Sequence, residues 1–86
     1  MPVVSRFFGI AIVFYWEDHL PPHFHAKYSG DESVVSIATG ETLKGSLPKR
    51  ALSLVEEWRA LHVEELQDNW ERARNRQPLA CIEPLE

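Results

Sequence analysis

Three of the four histidines, His19, His23 and His25, lie in the run Asp18-His19-Leu20-Pro21-Pro22-His23-Phe24-His25-Ala26-Lys27-Tyr28. An imidazole near neutral pH can ligate a metal, move a proton or fix a turn by hydrogen bonding, and each use makes a different demand on its neighbours. As a metal site the run offers His19, His23 and His25 with Asp18 as a fourth ligand or an orienting carboxylate, a set suited to a divalent transition metal such as zinc. As an acid–base site it offers His23 and His25 as base and acid for attack by a ribose 2′-hydroxyl, with Lys27 or Arg50 steadying the charge on phosphorus. That chemistry is a metal-independent ribonuclease. In the third use, the histidines pin the corner made by Pro21 and Pro22, whose fixed φ angles and missing donors keep both prolines out of a central strand.

The elements that must hold these groups can be read around them. From His23 to Tyr28 the residues alternate with period two, which puts His23, His25 and Lys27 on one face of a strand and Phe24, Ala26 and Tyr28 on the other. Before it, Gly9 to Trp16 is an apolar, branched and aromatic run that reads as a central strand, joined to the histidine strand by a loop short enough to require an antiparallel pair. Residues 2–8 read as a lead-in. Ser29 to Glu32 reads as a turn, Val34 to Ala38 as a third strand with Val35 and Ile37 inward, and Thr42 to Gly45 as a short edge strand with Leu43 inward.

Ser46-Leu47-Pro48 starts a helix, with Ser46 as candidate cap. Lys49 and Arg50 then sit where cations are mildly unfavourable unless an anion binds, which marks them as a candidate anion site. Residues 48–76 hold no glycine or proline after Pro48, but the apolar stripe Ala51, Leu54, Val55, Trp58, Leu61 and the stripe Leu66, Trp70, Ala73 are rotated by about a quarter turn at 100° per residue. A kink or break is expected at His62 and Val63. The expected fold is α+β: a three- to four-stranded antiparallel sheet followed by one long or broken C-terminal helix packed on one face. Its core is Ile10, Ile12, Phe14, Phe24, Val35, Ile37, Leu54, Val55, Trp58, Leu61 and Leu66. The opposite face, with Ala11, Val13, Tyr15, Val34 and Ala38 beside the histidines, is left for a partner.

The chain has 86 residues, 44% hydrophobic and 26% charged, which suits one folded domain with a modest core. A net charge of −4 argues against a surface coated for nonspecific nucleic-acid binding and leaves room for a local basic site. The single cysteine, Cys81, has no internal disulfide partner, and the chain holds no signal peptide or apolar run of membrane length, so the cytoplasm is the expected compartment.

The start through Phe8-Gly9-Ile10, the run from Asp18 to Tyr28, Gly45-Ser46-Leu47-Pro48, the helix with Trp58, Leu61-His62, Glu65-Leu66 and Asn69-Trp70, and Ile82-Glu83-Pro84-Leu85 together resemble one small bacterial family. It is the domain-of-unknown-function family numbered 4160. The resemblance covers nearly the whole chain, and its Asp-His-x-Pro-Pro-His-Phe-His core is specific. It implies one half of a two-gene module of toxin–antitoxin or regulatory type, commonly beside a second small family numbered 2442. The resemblance thus implies the protein of an adjacent gene as partner, the uncovered sheet face makes a second copy in a homodimer the other candidate, and the residues themselves point to RNA as a further ligand and to no membrane association.

Overall fold

The computed structural model describes residues 3–16 and 19–86. Five strands, β1 (Val3–Phe7), β2 (Ile10–Val13), β3 (His23–Tyr28), β4 (Asp31–Ser36) and β5 (Thr42–Gly45), form one antiparallel sheet in sequence order. Two helices follow, α1 (Lys49–Leu61) and α2 (Val63–Arg74). The fold is α+β as the sequence indicates, with one strand more than expected.

The additional strand is the stretch that reads as a lead-in. A bulge places one extra residue between the Val3↔Val13 and Ser5↔Ile12 pairs, so the clean alternation that would have revealed a strand is lost. Val4 and Phe7 are nevertheless buried in the core. β1 and β2 turn tightly through Phe8 and Gly9, and β3 and β4 through Ser29 and Gly30, all four with positive φ. Two central residues of positive φ make a type I′ turn, whose twist matches the flanking strands, so pairing resumes at once. Asp31 and Glu32 accordingly belong to β4 and not to a turn.

Ile10, Ile12, Phe14, Phe24, Ala26, Val35 and Ile37 line one sheet face and meet Ala51, Val55 and Trp58 of α1 with Leu66 and Trp70 of α2. Trp58 is fully buried, with its ring 5.3 Å from Phe7 and 5.9 Å from Phe24. The helical segment breaks at His62, which caps both helices, and its ring lies over Trp58 at 5.4 Å while its Nδ1 contacts Glu65 Oε1 at 2.6 Å. His62 continues the Ala51, Val55, Trp58 stripe. Leu61, expected in the core, falls off that stripe and is 67% exposed. Leu54 is half-buried against the core, Leu43 is exposed on the edge strand, and the helix cap is Pro48 in place of Ser46.

Residues 79–85 fold back as a strap. Asn69, fully buried, donates from Nδ2 to the Ala80 carbonyl at 2.8 Å and accepts from the Ala80 amide at 2.9 Å. The Trp58 indole donates to the Glu83 carbonyl at 2.8 Å, and the Ile82 amide donates to the Val4 carbonyl at 2.8 Å. These bonds satisfy groups that burial would otherwise penalise by about 1–3 kcal/mol each.

Candidate functional site

Strand register assembles the second sheet face from residues far apart in sequence. Val13, His25, Val34 and Lys44 form one row across β2 to β5, and Arg6, Ala11, Lys27 and Glu32 form the next across β1 to β4. Polar side chains lie across this face. Val13 is buried beneath them, Ala11, Tyr15 and Val34 are half-buried, and Ala38 is exposed, so the face is less bare than the sequence indicates.

Two imidazoles dominate the face, their centroids 5.3 Å apart. His25 Nδ1 lies 2.8 Å from Glu32 Oε2, and His23 Nδ1 lies 2.7 Å from the Pro21 carbonyl oxygen. A carbonyl only accepts and a carboxylate accepts, so each Nδ1 must carry the proton; in the neutral ring the lone pair then sits on Nε2. Tyr15 meets His25 edge-on at 4.4 Å, and Lys27 Nζ lies 5.7 Å from the Tyr15 ring centroid. A hydrogen bond with Tyr15 holds the Lys27 ammonium above the ordinary lysine value against the lowering effect of desolvation, with smaller upward contributions from ionised Tyr15 and from the Glu32 carboxylate.

His23 departs from its neighbours. Although its strand position is on the histidine face, it is only 5% exposed and its ring lies 5.1 Å from Trp70, a member of the main core. His19 approaches it at 5.9 Å. A cavity of about 260 Å³ opens among His19, Leu20, Pro21, His23, His25 and Lys44, and a second of about 270 Å³ shares His25 and Lys44 with it and is lined also by Glu32 and Gly45. Leu20 and Leu43 stand exposed at the rim of the first.

Of the residues singled out from sequence, the structure brings His19, His23, His25 and Lys27 together. Asp18 lies outside the described residues. Among the described residues no three histidine, cysteine or acidic side chains converge closely enough to hold a metal. Lys49 and Arg50 occupy the first turn of α1, and Arg50 lines a different cavity with Phe8 and Tyr28, apart from the imidazoles. Sequence reasoning placed Tyr15 on this face but missed Glu32 and Lys44 as parts of the site. The signal for Glu32 was present: a two-residue turn at Ser29-Gly30 pairs Lys27 with Glu32 and sets that carboxylate diagonal to His25.

The family described as Domain of unknown function (DUF4160) matches residues 9–71, a span that includes every imidazole of this face. The chain belongs to the DUF4160 family. The matched span of this DUF4160 domain runs from the first hairpin turn into α2 and leaves out β1 and the strap. No curated protein and no solved structure is significantly similar to the chain. No helix among the described residues is long and apolar enough to cross a membrane.

Proposed function

We propose that this DUF4160 protein is a cytoplasmic interaction module of toxin–antitoxin or regulatory type, and that its histidine face receives RNA through a phosphate. The observation that carries the reading is the fixed His25–Glu32 pair at 2.8 Å, flanked by Lys27 and Lys44 and opening onto two adjacent cavities. A carboxylate that holds one imidazole nitrogen fixes the orientation of the ring, while the two ammonium groups supply charge that the chain as a whole lacks. Exposed Leu20 and Leu43 at the rim give a base or ribose apolar surface to rest on.

The test is fluorescence anisotropy with a labelled single-stranded RNA dodecamer. Binding should weaken with salt along a log–log slope of about −1.4, from roughly 0.7 per neutralised phosphate for two phosphates. Lys27→Gln and Lys44→Gln should each lower affinity by about tenfold, on the order of 1.4 kcal/mol. Binding that is absent at low salt, or indifferent to both substitutions, sinks the reading.

A second reading, metal-independent RNA cleavage, is favoured by the shared tautomer of the two rings. One Nε2 would take the 2′-hydroxyl proton as the 2′-oxygen bonds to phosphorus. As the bond from phosphorus to the 5′-oxygen breaks, the other ring, as imidazolium, would protonate that oxygen. The products are a 2′,3′-cyclic phosphate and a 5′-hydroxyl end. Cleavage that persists in EDTA and vanishes in His25→Ala supports it. Cleavage lost in EDTA overturns the metal-free reading.

A further inference from the structure

A cavity of about 360 Å³ lies away from the histidine face. It lies at the far end of β3, beyond Tyr28, roughly 17 Å along the strand from His23 at about 3.3 Å per residue. Phe8, Ile10, Tyr28, Ala51 and Leu54 supply apolar walls, and Arg50 is the charged residue on its rim. Its volume is at the lower end of ligand-binding clefts, which run from about 300 to 1,000 Å³.

Two features of this end work against the stability of the isolated chain. Phe8 is 60% exposed, so an aromatic ring stands in water beside an apolar groove. Phe8 also holds φ of 49° at a turn position where asparagine or glycine is favoured and a bulky side chain is strained. A bulky residue kept at such a position is commonly found at sites of binding. The charge is equally one-sided: Lys49 and Arg50 open α1, and its first turn holds no acidic residue, although the chain carries −4 overall.

We propose that this groove docks a segment of a partner polypeptide that carries a bulky apolar side chain next to acidic residues. The apolar side chain fills the cleft against Phe8, and the carboxylates meet Arg50 and Lys49. Charge decides against a second copy of this chain, because two grooves exchanging Phe8 rings about a twofold axis would bring both cationic rims together. The lining decides against RNA: the aliphatic wall of Ile10, Ala51 and Leu54 would leave a base's polar edge unpaired.

The test selects phage-displayed random dodecapeptides on the full chain, with counter-selection on Arg50→Glu. Enriched peptides should share an acidic residue beside a bulky apolar one. Their affinity should fall at least tenfold for both Arg50→Glu and Phe8→Asn and stay unchanged for His25→Ala. Phe8→Asn places a turn-favoured residue at positive φ, so its melting temperature should rise by a few degrees even as binding is lost, separating docking from folding. The proposal is overturned if no sequence is enriched, if the consensus lacks acids, or if binding survives in Phe8→Asn. It is equally overturned if Phe8→Asn abolishes a micromolar dimer in sedimentation, which assigns the groove to a second copy, or if an RNA dodecamer displaces the selected peptide from it.

Discussion

The two faces of one sheet are built on different principles. Under the helices, Phe24, Ile12, Val35 and Trp58 are held by shape and by exclusion of water. On the other side, His25, Tyr15, Lys27 and Glu32 are held by directed contacts at defined atoms, over a thin apolar layer of Val13, Ala11 and Val34. Alternation along β3 produces both faces from six consecutive residues. Packing energy is thereby concentrated on one side, which leaves the other able to spend its side chains on orientation.

The contrast is broken first by stability. Trp58→Ala removes a fully buried indole and its bond to Glu83 and should cost about 3–5 kcal/mol, read from the urea midpoint. A midpoint near that of the wild type would show that the covered face does not carry the fold. The sharper comparison is between the two neighbouring imidazoles. His23 is buried against Trp70, and His23→Ala should cost about 1–3 kcal/mol. His25→Ala should cost less than about 1 kcal/mol, because Phe24 and Ala26 beside it carry the packing. Equal losses for the two would erase the distinction between an anchor and a working ring.

The smallest effect is at alkaline pH. Lys27 is held above its ordinary value, so whatever it adds is fully present below the unfolded lysine pKa of about 10.4 and is lost as pH rises through the folded value. The melting difference between wild type and Lys27→Gln should stay constant from pH 7 to about 9.5 and shrink above it. A difference that grows with pH would reverse the assigned sign.

Much of this arrangement was legible in the residues. The period-two face of His23, His25 and Lys27, the apolar face opposite, and the break near His62 all follow from spacing, and all appear. What was hidden depended on long-range partners. β1 escaped because a bulge destroys alternation, which only the register with β2 reveals. Burial of His23 could not be read from its strand position, since the covering ring, Trp70, arrives from a helix more than forty residues later along the numbering. Leu61 looked like core by type and periodicity, but the helix ends there and His62 takes its place over Trp58.

The unbroken strand order also bears on how the domain is made. Each strand pairs with the next in sequence, so the sheet can zip hairpin by hairpin with short loop closures and a small entropic penalty at every step. The strap is the exception: Ile82 must find Val4, and Glu83 must find Trp58, after nearly all the intervening chain has been placed. Joining residues 79–85 to Val4 therefore closes a longer loop than any strand pair of the sheet does. Without the strap, the indole of Trp58 and both ends of the Asn69 amide would lack the partners they hold in the folded chain.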